Sequence, residues 1–554
     1  MSVIPANLGG VPVLLLKEGS QRTTGKEALS NNLSAAIAVA EAVKPTLGPR
    51  GRDKMLVDSL GDITVTNDGA TILKEMDVQN PAAKLMVQAS RSVDDEVGDG
   101  TTSVVVLAGA LLSQASNLVE KDIHPTLIAS GFQRAAEIAQ EVIDRISIPV
   151  KDEDMIRAVA LTSIGNKVEG QAREKLAKIA VDAVKQIKEE RDGKVIIDQD
   201  LIQITKKQGQ GLLDTELVYG VVLDKEVVHP GMPKVVKGAK IAIIDASLEV
   251  EKTQIDAEIR IADPSQMKAF LDEEENMLKE MVDKIVATGA NVVVCQKGID
   301  DVAQHFLAKA GILAVRRAKR SDMEKLAKAT GGNIVTSLDD LSPKDLGTAE
   351  IVEERKIGDD KMVFVEGCAN PKAVSILIRG GLERSVDEAE RVLKDALAVV
   401  ADVYKAGAVV AGGGAAEAEI AKALRAEAIK IGGREQLVVE AFADAVESIP
   451  RTLAENAGLD PIDVLTELRA AHENPNGTYM GVSLDSTKPV DMLKLGVVEP
   501  AIMKKQIIHG AAEAASIIVR IDDVIMSAKS KTPSSPSKPS GSSEGESSSS
   551  SSSS

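Results

Sequence analysis

Apolar positions recur at helical spacing through most of the first 190 residues, which predicts a largely helical start to the chain. In the first helical segment, residues 26–44, the regularly spaced apolar residues are Leu29, Leu33, Ile37 and Ala40. Further helices are expected up to about residue 150, and from residue 151 to residue 190 with a break at residues 163–167. Two short strands, 54–57 and 62–66, are predicted around the turn that contains Gly61.

From about residue 191 the pattern changes to short strands, and from residue 241 strands alternate with amphipathic helices. The strands are expected at residues 195–197, 202–206, 217–223, 241–244, 292–295, 312–315 and 333–335. The helices between them are expected at residues 264–288, 300–310 and 322–330. This strand–helix order predicts a parallel sheet with right-handed crossovers. Residues 253–261 also alternate apolar and polar side chains, which predicts one further strand.

After Pro371 the pattern returns to helices. A strand at 374–379 and a helix at about 386–405 come first, and a short strand at 408–410 precedes helices that reach Ile525. The tail from residue 528 is mainly serine, with some proline, lysine and glycine. Such a segment cannot bury enough apolar surface to order itself, so we expect it to be disordered.

Composition and charge exclude several classes of function. A chain of 554 residues is expected to form two to four domains. Aromatic residues make up only 1% of the chain and the net charge is −18, which argues against binding nucleic acid or an anionic membrane surface. No apolar run reaches about 18 residues, so no membrane span is expected.

The cysteines and the N-terminus favour a cytoplasmic protein. Cys295 and Cys368 are the only cysteines, and they are far apart in the sequence. This pattern suits a reducing compartment and provides neither a disulfide framework nor a cysteine zinc site. Residues 1–10 have no basic segment of the kind that begins a secretory signal.

The clearest candidate for chemistry is the stretch Gly98-Asp99-Gly100-Thr101-Thr102-Ser103, which precedes the apolar run Val104–Leu112. Glycines let backbone N–H groups approach a ligand, and hydroxyl groups at a helix start add donors beside the positive end of the helix dipole. The aspartate suits a phosphate only if a cation such as Mg²⁺ lies between them. By itself the stretch also fits a capped turn without a ligand.

Other loops share this character, and none has a standard nucleotide-binding pattern. Residues 46–51 follow a helix and combine glycine and proline with one arginine, and residues 67–71 form an Asx-Gly turn that opens a helix. Each of these loops can equally be a tight turn. Lys167 lies on a Gly-Asn break and can reach an anion or remain solvated. No P-loop, GxGxxG or GxSxG pattern is present, so a nucleotide site must use another architecture.

Four of these stretches together resemble the motifs of the chaperonin family, in its order and spacing. They are Thr46–Gly51, Thr66–Thr71, Gly98–Ser103 and Val410–Gly414. The resemblance covers about residues 10–527. It is closest to the group II chaperonins, such as the archaeal thermosome, because of the insertion around residues 249–285 and the stretches 498–500 and 520–525.

The resemblance implies a multidomain chaperonin fold. A mainly α-helical equatorial ATPase domain would combine residues 1–150 and 406–527. An α/β intermediate domain would combine residues 151–219 and 372–405. An α/β apical, substrate-binding domain would cover residues 220–371, with a helical protrusion at about residues 246–288 as a built-in lid. The pattern changes near residues 191, 229, 371 and 406 agree with such a division but do not reveal which segments fold together.

The resemblance also implies the site residues of an ATPase that uses ATP and Mg²⁺. The phosphates would be held by Thr46, Leu47, Gly48, Pro49, Gly100, Thr101, Thr102 and Ser103. Mg²⁺ would be held by Asp99. The attacking water would be positioned by Asp395 and Asp62. Lys167 would sense the terminal phosphate, although Gly165-Asn166 departs from the Thr-Gly common before it. The nucleoside would contact Gly413 and Glu499.

The function implied is that of an ATP-dependent chaperone. Its subunits, identical or related, would form a double ring that binds non-native protein and encloses it on ATP hydrolysis. Two alternatives stay open on the sequence: a soluble enzyme that uses ATP to phosphorylate a small acceptor, and a structural ring or filament protein. The first is disfavoured because no second polar constellation accompanies the ATP motifs.

Overall fold

The computed structural model describes residues 5–8, 11–14, 21–58, 60–76, 78–168, 170–250, 264–368 and 373–526. The strand expected at 253–261 and the serine-rich tail from residue 528 lie outside these ranges. The chain divides into two compact units, one made of residues 1–31 with 521–554 and the other of residues 32–520.

Helices dominate both ends of the sequence, and most begin where the sequence predicts them. Three begin with proline directly after a side chain that caps the helix: Asn80, His124 and Asp460 accept hydrogen bonds from first-turn amides. The described helices are α1 (Gly25–Val43), α2 (Gly69–Glu75), α3 (Pro81–Val97), α4 (Thr101–Glu120), α5 (Pro125–Ile146), α6 (Glu153–Ile164), α7 (Gly170–Ile187), α8 (Pro264–Ala287), α9 (Asp301–Lys309), α10 (Arg320–Thr330), α11 (Glu383–Ala406), α12 (Ala415–Ile431), α13 (Gly433–Val446), α14 (Ser448–Asn456), α15 (Pro461–His472) and α16 (Ala501–Val519).

The strands form several small sheets and one large one. The described strands are β1 (Pro5–Leu8), β2 (Val11–Leu14), β3 (Gln21–Thr24), β4 (Lys54–Val57), β5 (Ile63–Thr66), β6 (Ile148–Pro149), β7 (Glu189–Arg191), β8 (Lys194–Ile196), β9 (Ile202–Gln208), β10 (Glu216–Val218), β11 (Gly220–Leu223), β12 (Val235–Ile244), β13 (Val292–Cys295), β14 (Leu313–Val315), β15 (Ile334–Val335), β16 (Gly347–Ile357), β17 (Asp360–Cys368), β18 (Val374–Gly380), β19 (Ala408–Ala411), β20 (Met480–Gly481), β21 (Val490–Asp491), β22 (Val498–Pro500) and β23 (Asp523–Met526).

The smaller unit pairs the two ends of the chain. Strand β3 is antiparallel to β23, and Arg22 Nε donates to Asp523 Oδ1 over 3.0 Å across this pair. The amide of Gly25 donates to the carbonyl of Asp522. In the same unit β1 and β2 form an antiparallel pair.

Helix α4 lies at the centre of the helical core. It packs against α3, α13 and α16, and its apolar residues from Val104 to Ala108 are all buried. In the same core the rings of Phe132 and Phe442 meet edge to face with their centroids 5.8 Å apart. By length and composition alone α4 could cross a membrane, with a mean hydropathy of 1.5. Polar residues such as Ser113, Gln114 and Asn117 interrupt its apolar residues, so α4 is not a continuous apolar run. Helices that are apolar all round are also typical of protein interiors.

A three-stranded sheet brings together segments that are far apart in the sequence. Strand β19 pairs antiparallel with both β6 and β22. Val410 is opposite Glu499, and Val409 is opposite both Ile148 and Pro500. The chain around residue 148 and the chain beyond residue 406 therefore fold together, which the sequence pattern could not reveal.

A second three-stranded sheet has β18 at its centre, parallel to β9 and antiparallel to β10. All seven residues of β18 are buried, and helices α7 and α11 pack against this strand. Residues before 220 and after 373 thus share one sheet.

The seven-stranded sheet is mixed, so the prediction of a parallel sheet is only partly correct. Strands β12, β13, β14 and β15 are parallel, as expected. Strands β11, β16 and β17 join them in antiparallel order. The hairpin of β16 and β17 was not predicted, because charged residues such as Glu353, Glu354 and Arg355 dilute its apolar pattern. The second half of α8 packs into this core through Leu278, Val282 and Ile285.

Candidate functional site

One cavity of about 1130 Å³ collects most of the residues that the sequence singles out. Its lining includes Thr46, Leu47, Gly48, Pro49, Asp99, Gly100, Thr101, Thr102, Ser103, Lys167, Gly413 and Glu499. These residues come from five separate stretches of the chain. All of them belong to the larger unit.

The loop after α1 forms one wall of the cavity and is held by neighbouring elements. A single 3₁₀ turn, Lys44–Thr46, follows the helix, and the Thr46 hydroxyl donates to the carbonyl of Val43 over 2.7 Å. Asn456 Nδ2 donates to the carbonyls of Lys44 and Leu47 over 3.1 and 2.9 Å. Gly48 has φ +83°, and a Cβ there would lie 2.2 Å from Leu453, so only glycine fits.

The start of helix α4 forms the opposite wall. Gly98 and Gly100 both have left-handed backbone conformations, with φ of +64° and +84°, and Gly100 is the N-cap of α4. The first amides of any helix have no intrahelical acceptor, and here these are the amides of Thr101, Thr102 and Ser103. Gly100 has no side chain that could accept from them instead. This helix start is therefore suited to an anion, and its dipole adds to the attraction.

Asp99 lies between the two glycines and is held by two donors. Its Oδ1 accepts from the Gly100 amide over 2.6 Å, and its Oδ2 accepts from the hydroxyl of Ser163 over 2.7 Å. Within the described ranges no group of three or more His, Cys, Asp or Glu side chains is arranged to hold a metal ion. A Mg²⁺ ion needs only one or two carboxylates when substrate phosphates supply its other ligands. Asp99, beside a helix start that is suited to an anion, fits that requirement.

Lys167 and Asp395 form an ion pair beside the same cavity. Lys167 Nζ is 2.9 Å from Asp395 Oδ2, and both side chains are mostly buried. Burial raises the pKa of Asp395 to about 7. The positive charge of Lys167 opposes this rise, and the negative charges of Asp99 and Asp68 add to it. For Lys167, burial alone would lower the pKa, but the carboxylates of Asp395, Asp99 and Asp68 outweigh it and the pKa is raised. The pair joins α11 to the turn after α6.

Asp68 belongs to this site although the sequence analysis assigned it no role there. It caps α2: its Oδ1 accepts from the Ala70 amide and from the Thr101 hydroxyl, and its Oδ2 accepts from the Thr71 amide. Burial would raise its pKa, but Lys167 and these hydrogen bonds lower it below the usual value. Asp68 is therefore an ionised carboxylate on the cavity wall. The sequence analysis identified the Asx-Gly turn as a helix cap. It did not indicate that Asp68 also lines the cavity.

Asp62 is exposed at the end of the β4–β5 turn, where its amide donates to Asp58 Oδ1 over 2.8 Å. Neither Asp62 nor Asp395 is among the residues that line the cavity. Strand β5, which begins directly after Asp62, contacts helix α11, which carries Asp395. The role of Asp62 in positioning the attacking water stays a prediction.

The far end of the cavity contains a buried cluster of three charged residues. Lys504 Nζ lies 2.5 Å from Glu417 Oε1 and 2.5 Å from Glu499 Oε2. Burial would lower the pKa of Lys504, but the two carboxylates raise it. The pKa of Glu499 is raised, chiefly by burial. Nothing in the sequence pattern indicated that Lys504 is buried, since a lysine on an amphipathic helix is normally solvated.

Comparison with known proteins identifies the family that the sequence motifs resemble. The model of the TCP-1/cpn60 chaperonin family matches residues 39–529. The chain is 60% identical over 522 residues to thermosome subunit beta of Saccharolobus shibatae, which covers 94% of this chain and 95% of that protein. It is 57% identical over 526 residues to the thermosome subunit of Pyrococcus abyssi, covering 95% and 96%. Thermosome subunit beta of Methanothermobacter thermautotrophicus is 58% identical over 522 residues, covering 94% and 96%.

Proposed function

Since this chain belongs to the TCP-1/cpn60 chaperonin family, we propose that it is a subunit of a group II, ATP-driven folding chamber. Identical or related subunits assemble into a double ring in the cytoplasm. The ring binds non-native protein and encloses it when ATP is hydrolysed. The observation that carries the ATPase part of this proposal is the cavity between the Thr46–Pro49 loop and the start of α4.

The two walls of the cavity are proposed to hold the phosphates of ATP. The free amides at the start of α4 and the rigid loop that includes Gly48 supply donors without a side chain in the way. Asp99 would hold Mg²⁺, which neutralises charge on the phosphates when it is bound. Gly413 and Glu499 line the same cavity and would contact the nucleoside.

Asp395 and Asp68 are proposed to orient the water that attacks the terminal phosphate. Phosphoryl transfer depends on positioning and charge neutralisation more than on a covalent catalyst. Both carboxylates interact electrostatically with Lys167, whose ammonium is in turn suited to the terminal phosphate. Asp62 stays proposed as a water-positioning carboxylate, as the family resemblance implies, and Asp68 is added to it because Asp68 is on the cavity wall.

The domain division expected from the family is supported by which segments share sheets. Strands β6, β19 and β22 support an equatorial domain of residues 1–150 and 406–527. Strands β9, β10 and β18 support an intermediate domain of residues 151–219 and 372–405. The seven-stranded sheet uses only residues between 220 and 368, in agreement with an apical domain of residues 220–371.

The helical protrusion at about residues 246–288 is proposed to act as a lid. Two halves of α8 differ in a way that supports this: Leu278, Val282 and Ile285 pack into the apical core, whereas Leu271 is 56% exposed. Four acidic residues, Asp272–Glu275, follow Leu271 and are exposed as well. Apolar surface beside solvated carboxylates suits a segment that is covered only when the chamber closes.

The substitution Asp395→Ala tests the ATPase assignment. It removes a water-positioning group and leaves the phosphate cradle intact, so hydrolysis should fall by at least about 10²-fold while ATP still binds. Asp387→Ala is a matched control on the same helix, because Asp387 is 38% exposed and pairs with Lys206. Steady-state hydrolysis, equilibrium ATP binding and refolding of a denatured client protein are measured on both variants.

The wild type should refold the client only with ATP, and Asp395→Ala should bind the client without completing the cycle. Hydrolysis by Asp395→Ala within about threefold of the wild-type rate would reject the catalytic role of this residue. If the wild type hydrolyses ATP but assembles no ring and gives no ATP-dependent refolding, the chamber function is wrong.

A further inference from the structure

Lys504 is buried at the end of the cavity, and the proposed hydrolysis chemistry makes no use of it. Its side chain is 5% exposed and contacts two carboxylates, those of Glu417 and Glu499. An ammonium ion is rarely buried unless it is paired, and this one is paired twice. Of the two carboxylates only Glu499 lines the cavity, and its side chain is 20% exposed.

The backbone places Glu499 firmly before its side chain is considered. Glu499 pairs with Val410 in the antiparallel ladder of β19 and β22. A Cβ on Gly412 would lie 3.3 Å from both Cγ and Cδ of Glu499, so the carboxyl group lies against the glycine loop. Glu417 lies three residues after Gly414, the last glycine of that loop, in the first turn of α12. Lys504 therefore links the two elements that would face the nucleoside.

Stability alone is a weak reason for such a cluster. Removing an ammonium and two carboxylates from water is unfavourable, and apolar residues of similar volume often stabilise a protein at least as well. The cluster is also not fully hydrogen-bonded, since neither Glu417 Oε2 nor Glu499 Oε2 has a hydrogen-bond partner among the described residues, and Lys504 meets Glu499 as an ion pair. A cation that attracts a carboxylate and holds it beside a cavity has a use in binding.

A carboxylate on the cavity wall restricts what can lie beside it. It accepts hydrogen bonds and repels phosphate oxygens, so it favours a hydroxyl or amine donor. A nucleoside has such donors, and a bare polyphosphate ion has none.

We propose that Lys504 is a positioning residue that holds the Glu499 carboxylate as an acceptor facing the cavity, and so makes the site prefer a nucleoside triphosphate to inorganic polyphosphate. This inference rests on the proposed ATP site. Lys504 borders the cavity as well, but in this inference it acts through Glu499, and direct contact with a phosphate is the competing role.

A double-mutant cycle tests this with Mg–ATP as the ligand. The variants are Lys504→Met, Glu499→Gln and the two combined, each measured by equilibrium titration. Lys504→Met should raise the Kd for Mg–ATP by about 10-fold or more, the usual effect of losing a charge-assisted hydrogen bond. In the Glu499→Gln background the same change should alter Kd by less than about twofold, because the group through which Lys504 acts is gone.

Lys505→Met is the matched control. Lys505 is the next residue of α16, pairs with Asp144 over 2.6 Å and does not line the cavity, so its loss should leave the Kd unchanged. Inorganic tripolyphosphate with Mg²⁺ is the second probe. The double variant Lys504→Met/Glu499→Gln should bind tripolyphosphate at least as tightly as the single variant Glu499→Gln does, because the replacement of Lys504 removes no contact to a phosphate.

A competing role has a different signature. If Lys504 bound phosphate directly, Lys504→Met would weaken ATP and tripolyphosphate equally, and the effect would persist with Glu499→Gln. That result overturns the inference and leaves the ATP site standing. A wild-type protein that does not bind Mg–ATP would overturn both.

Folding of the variants is checked by circular dichroism, because Lys504→Met leaves two buried carboxylates without their cation. The double variant Lys504→Met/Glu417→Gln removes one of those two negative charges. It replaces Lys504→Met in the cycle if Lys504→Met does not fold. If neither form folds, Lys504 has a structural role and the positioning role is rejected.

Discussion

Asp402 on helix α11 is a buried carboxyl group whose replacement by asparagine should stabilise the protein at neutral pH. The residue is 6% exposed, and its Oδ2 has no hydrogen-bond partner in the described part of the chain. Burial raises the pKa of Asp402 to about 7, opposed by the nearby Lys405 and assisted by Glu96. The folded protein therefore disfavours the ionised form.

The sign and size of the effect follow from this pKa. Between the ordinary pKa of 3.8 and about 7, the unfolded chain releases the proton of Asp402 while the folded chain retains it. Stability is therefore lost as the pH rises through this window, and the loss is complete above it. A difference of about three units between the pKa of Asp402 in the folded and unfolded chain lowers the free energy of unfolding by at most about 4 kcal/mol.

The assay is unfolding by denaturant at several pH values and at one fixed protein concentration, because assembly also contributes to apparent stability. Asp402→Asn cannot ionise, so its advantage over the wild type should be small near pH 4 and should grow to a plateau above about pH 7. Asp387→Asn is the control on the same helix, since Asp387 is exposed and paired with Lys206. An advantage that does not change with pH, or a variant less stable than the wild type near pH 8, would refute the argument.

Two further predictions test the site and the lid. Asp68→Asn retains the cap of α2 but lowers the charge, so it should slow ATP hydrolysis by at least about 10-fold, and Asp62→Asn should slow it by a similar factor; a rate within about twofold of the wild type for either variant would reject that residue. Deletion of residues 250–275 spares Leu278, which is buried in the apical core, so rings should still form and hydrolyse ATP. The deletion should abolish the protease resistance that the wild type gains with ATP and a transition-state mimic of the terminal phosphate, and resistance in both proteins would mean that the chamber closes by other means.

Local patterns in the sequence were enough to predict most helices and the parallel strands of the large sheet. Helix starts such as the Asx-Gly turn before α2 depend on a cap within a few residues, and strands such as β13 are continuous apolar runs. The hairpin of β16 and β17 was missed because its exposed face is charged, and its partner strands are decided by contacts across the sheet.

The candidate site divides in the same way. The loops that line the cavity could be predicted because their glycines and hydroxyls have to be adjacent along the chain to form a helix start such as that of α4. The place of Asp68 on the cavity wall could not be predicted, since its turn is fully explained by the cap that it provides for α2.

By itself the sequence determined the family, the order of the elements and the loops that line the cavity, because each of these depends on residues that are neighbours along the chain. Only the tertiary structure decided which charges act together. Lys167 meets Asp395 across 228 positions, and Lys504 meets Glu417 across 87. The state of a charged group depends on its burial and on the charges within a few ångströms, and these are set by how distant segments pack.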